Sequence, residues 1–270
     1  MHDDEERSRF TAANRDAWDE AAAVHAELNQ AALLERFAEP GYCSLDEHCV
    51  ERLRGIGVAG KSVAQVCCNN GRDLISVRNM GAGRCVGFDA SERFLEQARE
   101  LAHAAGHDDV EFIATDAYDI PRHHDDTHDL VMTTIGVICW MPDLPTFFRV
   151  LAGLTKAGGH LFMEETHPVL AMYEDGRDGE PSRPAFSYFR REPWVESDGL
   201  DYFTGARRAS KTRYEFPHTL AEIVMSAIDA GFVLRHFAEL DYDISGFCAD
   251  LEHAGAKPPM GMTMVWHKAP

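Results

Sequence analysis

The chain has 270 residues, of which 45% are hydrophobic and 26% charged, and its formal net charge is −19. A chain of this length and composition can bury a full core in one large domain. Because 45 acidic residues outnumber 26 basic ones, the surface repels phosphate backbones and anionic lipid, which excludes nucleic acid and membranes as expected partners.

The N-terminal segment, residues 1–60, is predicted to be helical and to form a lid. Its charged start, MHDDEERSRF, lacks the apolar core of a signal peptide. The alanine-rich stretch NRDAWDEAAAVHAEL places Trp18 and His25 on one helical face. After the break AEPGY, a second helix is predicted in SLDEHCVERLRGI, capped by Ser44 with Glu47 three residues on.

Residues 61–165 alternate between short apolar strands and helices. Strands are predicted at SVAQVC, CVGFD, VEFIATD, HDLVMTTIG and HLFMEE. The helices between them are predicted to end at Gly81, at Gly106 and at the pair Gly158-Gly159. This alternation predicts an α/β fold with a doubly wound, largely parallel sheet. The longest near-apolar run, LVMTTIGVICWM, is too short to span a bilayer.

The last third of the chain first loses this rhythm and then regains it. Residues 166–216 are rich in Pro, Gly, Arg and aromatics, and are predicted to form a cap inserted after strand five. In residues 217–270, Thr219 and Glu222 form a capping box before a helix. Two final strands, FVLRHFAEL and MGMTMVWHK, complete one seven-stranded domain over residues 1–270. Seven cysteines without framework spacing indicate reduced thiols in a cytoplasmic protein.

The turn after the first strand, CCNNGRD, lies where such sheets bind their ligands, at the carboxyl ends of the strands. Nucleotide-binding proteins place several glycines there, whereas this turn has only Gly71. Asparagine tolerates positive φ better than most residues, so Asn69 can supply part of the turn. Asp89 ends strand two at the spacing expected of an acid that binds ribose hydroxyls. Asp116 follows strand three, within reach of an adenine amino group.

Together with LTKAGGHLFMEE before and along strand five, these features resemble the class I S-adenosylmethionine (SAM)-dependent methyltransferases. The stretch Lys156–Gly159 differs by one residue from the family's Lys-Pro-Gly-Gly turn. The resemblance implies a Rossmann-like sheet whose last strand is antiparallel. The sequence departs from the family at Gln65, where an acid is usual, and at Cys67 and Asn69, where glycines are usual.

The resemblance implies SAM as cofactor, bound by residues 61–165, and a small-molecule acceptor. It assigns the ribose to Asp89, the adenine to Asp116 with Ala117, and the methionine moiety to the turn after strand one. The implied cofactor-binding residues are Cys68, Asn69, Gly71, Arg72, Asp89, Ala90, Asp116, Ala117, Thr134 and Ile135, with Trp18 and His25 from the lid.

Candidate catalytic groups follow strand five, in MEETHP. His167 is the predicted general base, and the alternative is that it only hydrogen-bonds the first turn of the cap. Glu164 and Glu165 alternate faces, so one of them faces the cleft and the other is expected in a surface salt bridge. Glu164 is the one predicted to be catalytic. Trp140 is predicted at the rim of the substrate site, or packed under the following helix.

The predicted cap carries basic and aromatic stretches, RPAFSYFRR and TGARRASKTRY. Arginine pairs well with carboxylates, so a carboxylate-bearing or aromatic substrate is predicted. The alternative is a solvated loop whose arginines pair with nearby acids. The predicted substrate residues are Arg190, Arg191, Arg213 and Tyr188, with Tyr202 nearby.

Other interpretations remain open from the sequence. The histidine-rich stretch RHHDDTH has metal-ligand residue types but precedes strand four, at the wrong edge, so no metal is predicted. An NAD-binding enzyme is less favoured, because a pyrophosphate needs the missing glycines more than SAM does. A SAM-binding regulatory module, a purely structural protein and a turn that binds nothing are further alternatives. A monomer or homodimer is expected.

Overall fold

A computed structural model of the chain describes residues 4–174, 176, 180–198 and 209–269. Its α-helices are α1 (Asp4–His25), α2 (Ala31–Phe37), α3 (Glu47–Ile56), α4 (Arg72–Asn79), α5 (Glu92–Ala104), α6 (Leu144–Leu154) and α7 (Leu220–Asp229). Its strands are β1 (Val63–Val66), β2 (Cys85–Asp89), β3 (Glu111–Ala114), β4 (His128–Thr133), β5 (Thr155–Thr166), β6 (Tyr173–Glu174), β7 (Arg183–Pro184), β8 (Trp194–Asp198), β9 (Ala209–Glu215), β10 (Phe232–Leu240) and β11 (Gly261–Lys268).

Seven of these strands form one sheet in the order β10-β11-β5-β4-β1-β2-β3. β1 pairs in parallel with β2 and β4, and β4 pairs in parallel with β5. β11 runs antiparallel to both of its neighbours, with Gly261 opposite Thr166 of β5. This is the predicted doubly wound sheet with an antiparallel last strand. The order reverses between β1 and β4, which places the ligand crevice at their carboxyl ends.

Helices cover both faces of the sheet, which is why its central strands are apolar throughout. All four residues of β1 are buried, as expected of a strand covered on both sides. On one face, Phe147 and Phe148 of α6 pack with Ala227 of α7. On the other face, Leu53 of α3 and Leu74 of α4 pack in a second cluster.

Two predicted helix boundaries are confirmed or corrected by side-chain hydrogen bonds. The capping box of α7 is present, since Thr219 Oγ1 accepts from Glu222 N at 3.2 Å and Glu222 Oε2 accepts from Thr219 N at 2.9 Å. The predicted cap of α3 is wrong. α3 starts at Glu47, and Ser44 Oγ lies 3.0 Å from Ser76 Oγ of α4 instead.

The end of α6 also differs from the prediction. α6 ends at Leu154, and Thr155 already pairs with His128 of β4. Gly158 therefore does not close the helix but lies within β5, at φ +76°. The backbone turns at Gly158 and brings Gly159 close to the Lys156 carbonyl. A Cβ at Gly159 would lie 2.9 Å from that oxygen.

The segment after β5 contains a short 3-10 helix, Pro168–Met172, and two small antiparallel pairs, β6–β7 and β8–β9. β9 contacts α1, so the segment predicted to form the cap meets the helix predicted to form the lid. Tyr202 lies outside the described residues. No helix in the described part of the chain is both long and apolar enough to cross a membrane.

Candidate active site

The turn after β1 adopts glycine-like conformations with one glycine. Cys67, Asn69 and Gly71 have φ values of 58°, 51° and 71°. Asn69 stabilises the turn because its Oδ1 accepts from Asn70 N at 2.8 Å. The three positive-φ positions coincide with the three at which the resembling family usually has glycine. The expectation that asparagine supports the turn is therefore confirmed.

Gly71 has a second role in packing. A Cβ at this position would lie 2.7 Å from Phe112 Cε1 and 3.0 Å from Ala98 Cβ. The missing side chain lets the start of α4 pass close to β3 and α5, which the third glycine of such turns commonly does. No other residue type fits both the conformation and the space.

Asp89, at the end of β2, is hydrogen-bonded to the turn. Its Oδ2 accepts from Asn69 N at 2.8 Å, and its Oδ1 accepts from Ser91 N at 2.9 Å. Burial raises the pKa of this carboxyl to about 6, although these hydrogen bonds act in the opposite direction. A carboxylate has about four acceptor positions, and with Ala90 N also donating to it, one remains for a ribose hydroxyl.

Asp116 follows β3, in the loop next to the one that carries Asp89. Thr115 N donates to the backbone carbonyl of Asp89 at 2.8 Å, which holds the two loops side by side. Asp116 Oδ1 accepts from Tyr118 N at 2.9 Å, and Ala117 is buried against the core. Asp116 thus lies directly after β3, as predicted, and its contact with adenine stays a prediction.

A series of side-chain hydrogen bonds joins β1, the end of β4 and α4. Gln65 Nε2 donates to Thr134 Oγ1 at 2.9 Å, and that hydroxyl donates to Asp73 Oδ2 at 2.8 Å. The contribution of Gln65 and Asp73 was not predicted, because both lie more than 60 positions from Thr134 in the sequence and meet it only in the folded chain. Arg72 and Ile135, which were predicted to bind the cofactor, are exposed and are the sequence neighbours of Asp73 and Thr134.

The two glutamates of β5 face opposite sides, as their alternation requires. Glu165 accepts hydrogen bonds from Val137 N at 2.7 Å, Ile138 N at 2.9 Å and Gly136 N at 3.1 Å. Burial raises its pKa to about 7. Glu164, the predicted catalytic acid, points towards α3, so its assigned role is not supported by its position.

His167 is buried, and one of its two ring nitrogens accepts a hydrogen bond. Its Nδ1 accepts from Val169 N at 3.2 Å, and its Nε2 lies 3.2 Å from Glu239 Oε1. Burial lowers its pKa. The contact with the first turn after β5 is the alternative that the sequence left open. A general base needs a free lone pair, so this geometry does not support the predicted catalytic role.

The lid residues Trp18 and His25 lie in an aromatic cluster above the β2 loop. The Trp18 ring is 5.3 Å from the Trp140 ring and 6.1 Å from the His25 ring. Phe94 of α5 lies 5.3 Å from His25. The structure thus brings Trp18 and His25 of the predicted lid together with Trp140, the residue predicted at the rim of the substrate site. Ala90 follows Asp89 in the same loop.

Internal partners hold the basic residues of the segment after β5. Arg191 pairs with Glu222, and Arg213 pairs with Glu196 and, at 3.1 Å, with Glu215. Arg190 donates to two backbone carbonyls of its own loop and lies 4.8 Å from the centre of the Trp194 ring. Tyr188 OH accepts from Leu220 N at 2.8 Å. These contacts match the alternative of paired arginines and do not support a carboxylate clamp.

The two thiols of the turn are kept neutral. Burial raises the pKa of Cys67 and of Cys68 well above the usual value, and the neighbouring Asp89 carboxylate adds to this effect. Because the thiolate is the nucleophilic form of cysteine, neither thiol competes for an electrophilic group held at the turn.

Residues 63–159, which contain the turn, both carboxylates and the hydrogen bonds through Thr134, match the family model described as a methyltransferase domain. Residues 63–159 are therefore similar to a methyltransferase domain. A ribosomal protein L11 methyltransferase from Pseudomonas paraeruginosa is 30% identical over 162 residues, which are 60% of this chain and 50% of that relative. The chain therefore matches only half the length of this relative.

Solved structures of methyltransferases share the fold. A SAM-dependent methyltransferase from Mesorhizobium loti is 20% identical with a TM-score of 0.59, over 81% of this chain and 96% of that one. Geranyl diphosphate C-methyltransferase from Streptomyces coelicolor, solved with S-adenosylhomocysteine, is 12% identical with a TM-score of 0.56, over 82% and 79%. The predicted fold and the resemblance to class I SAM-dependent methyltransferases are confirmed.

Proposed function

We propose that this methyltransferase domain binds SAM and transfers its methyl group to a small molecule. The observation that carries the proposal is the turn after β1. It keeps the backbone conformations of a glycine-rich turn and is hydrogen-bonded through Asn69 to the Asp89 carboxylate. A turn that bound nothing would not need positive φ at Cys67 and Asn69, which costs about 1–2 kcal/mol for a residue such as Cys67.

The residues at the carboxyl ends of β1, β2 and β3 fit the cofactor. In this proposal Asp89 accepts from a ribose hydroxyl, and Asp116 accepts from the adenine amino group. Bound SAM supplies an electrophilic methyl group on a positively charged sulfur. The chain's own residues position it, since the turn backs the methionine moiety and the neutral Cys67 thiol stays unreactive beside it.

The closure of α1 on β9 supports a small acceptor. Asn14 Nδ2 donates to the carbonyl of Tyr214 at 2.9 Å, and Asn14 Oδ1 accepts from Tyr214 N at 2.7 Å. Phe10 packs on Tyr214 and Phe216 at 4.7 and 5.2 Å between ring centres. A folded protein acceptor would have to displace this contact. The paired arginines leave no argument for a carboxylate on the acceptor.

The proposal is tested by measuring conversion of SAM to S-adenosylhomocysteine with a panel of small amines, phenols and carbon acids, and separately with purified ribosomal protein L11. Turnover with a small molecule is expected, and it should be lost in Asp89→Asn but kept in Asp108→Asn, an exposed aspartate beside His103 at the far end of α5. Turnover with L11 alone would contradict the proposed acceptor class. SAM binding without turnover on either set would favour the alternative of a non-methylating SAM-binding protein.

A further inference from the structure

A second cluster of chemically active side chains lies between α3 and β5, on the face of β5 opposite Glu165. It consists of His48, Cys49 and Glu164, whose ligand atoms all lie within 4.8 Å of one another. Cys49 Sγ is 3.3 Å from His48 Nε2, and Glu164 Oε1 is 2.7 Å from the same nitrogen. Cys49 is fully buried and Glu164 is 3% exposed.

The arrangement differs from that of a hydrogen-bonded relay. A relay passes through an imidazole by using both ring nitrogens, as in catalytic triads. Here the thiol and the carboxylate converge on the same nitrogen, while Nδ1 of His48 is 2.7 Å from Tyr242 OH. Because Cys49 and Glu164 both approach Nε2 of His48, the imidazole cannot pass a proton from one to the other through its two nitrogens. The cluster therefore does not activate Cys49 as a nucleophile.

Glu164 supplies an independent observation. Its Oε1 is buried and makes no hydrogen bond of acceptable geometry with any of the described residues, although His48 is near. A buried polar atom left in this way is costly unless another group satisfies it.

We propose that His48, Cys49 and Glu164 bind a divalent transition-metal ion, with zinc as the best match. Thiolate, imidazole and carboxylate are the three ligand types that zinc accepts, at about 2.0–2.3 Å each. A tetrahedral ion with these bond lengths would hold the His48 nitrogen about 3.3–3.6 Å from each of its two partners, compared with the present 2.7 Å to Glu164 Oε1 and 3.3 Å to Cys49 Sγ. Binding forms a sulfur–metal bond and releases the thiol proton to solvent.

Tyr242 orients the imidazole for this role. A metal-binding histidine usually engages its second ring nitrogen with a polar partner, and Tyr242 OH does so here. Three protein ligands leave a fourth position for water or for a substrate heteroatom. No metal was predicted from the sequence, because Glu164 lies 115 positions after Cys49 and only the fold brings the two side chains together.

The test uses Co²⁺ as a spectroscopic probe of the full chain after treatment with a chelator. One equivalent is expected to produce the near-ultraviolet charge-transfer band of a thiolate–cobalt bond and the visible bands of a tetrahedral ion. One equivalent of Zn²⁺ should displace it. Cys49→Ala should abolish the charge-transfer band, and Tyr242→Phe should weaken metal binding about 10–100-fold.

Cys85→Ala is the matched control, because Cys85 is also buried but pairs with Val63 at the amino end of β1. It should keep the full band. Circular dichroism of each variant shows whether it is folded, and SAM binding is measured in parallel, since it does not require this cluster. The absence of a charge-transfer band in the folded wild-type protein, or its persistence in folded Cys49→Ala, would overturn the proposal.

Discussion

At the residue scale, the turn after β1 shows how a binding loop can change its side chains and keep its backbone. Asn69 stabilises its own left-handed conformation through the hydrogen bond to Asn70 N. The Cys67 side chain makes no such hydrogen bond within the described part of the chain, so it is the position at which conformational strain is expected. The sequence allowed asparagine to be predicted as a glycine substitute, whereas cysteine has no preference that would reveal it.

Gly71→Ala should be the most damaging single substitution in the turn. It combines a positive φ with contacts of 2.7 Å to Phe112 and 3.0 Å to Ala98. Gly57→Ala is the matched control, because Gly57 has φ +76° but no described atom within 4 Å of the place a Cβ would take. Urea unfolding should show a loss of about 1–2 kcal/mol for Gly57→Ala. A loss for Gly71→Ala no larger than this would contradict the packing role.

Asp89 should make SAM binding depend on pH. Its pKa in the folded protein is raised to about 6. Ribose hydroxyls bind the ionised carboxylate better, so affinity should rise with pH and level off above about 6. Below that value it should fall by up to about tenfold per pH unit. Titration calorimetry of wild type and Asp89→Asn from acid to neutral pH tests this, and a variant that kept the same pH dependence would rule Asp89 out.

The same shift affects stability with the opposite sign. Between the usual carboxyl pKa of 3.8 and the raised value of about 6, the folded protein holds a proton that the unfolded chain has lost. This group's contribution to stability therefore falls as pH rises through that interval and is constant above it. Thermal unfolding of wild type and Asp89→Asn should differ in pH dependence only within this window. Parallel profiles would show that the buried carboxyl is not titrating there.

At the scale of elements, the strands and helices of the core were predictable because each carries a period or a cap. β10 has the predicted bounds, and the capping box of α7 forms as its spacing requires. The end of α6 was not predictable from Gly158 alone. A glycine with positive φ suits both a helix end and a bend inside a strand, and pairing with β4 decided between them.

The site was predictable where a residue's position follows from the sheet and unpredictable where it depends on partners from distant segments. Asp89 and Asp116 lie at the strand ends, as expected. His167 was assigned by its place after β5, but Val169 N donates a hydrogen bond to its ring and Glu239 lies 3.2 Å from its other nitrogen. The arginines after β5 were assigned by charge alone, and acids distant in sequence pair with them.

The contact between α1 and β9 is predicted to keep α1 closed over the proposed SAM site. Asn14→Ala removes two hydrogen bonds to Tyr214, at about 0.5–1.5 kcal/mol each. Hydrogen exchange in α1 should become faster, and KM for the acceptor should rise while the fold remains. Arg15→Ala is the control, because Arg15 lies next to Asn14 on α1 and pairs with its half-exposed neighbour Asp16. Equal exchange in the two variants would contradict a closing role for Asn14.

At the scale of the whole molecule, the net charge of −19 should act on ligand association. SAM carries one net positive charge, whereas S-adenosylhomocysteine carries none. An acidic protein attracts the cation over a distance that salt shortens. Stopped-flow fluorescence, with Trp18 and Trp140 beside the site as reporters, should show SAM association slowing as salt is raised while S-adenosylhomocysteine changes little. An equal response of the two ligands would argue against electrostatic attraction.

The central claim is that a turn with a single glycine still forms a SAM site. Isothermal titration of the full chain with SAM and with S-adenosylhomocysteine, repeated on Asp89→Asn and on the control Asp108→Asn, tests it most directly. The structure predicts one site for each ligand in the wild type and the control, with affinity reduced about 10–100-fold in Asp89→Asn, as expected for a lost hydrogen bond to a charged group. No binding heat with either ligand at several temperatures would contradict the claim, and the proposed methyl transfer would then have to be abandoned.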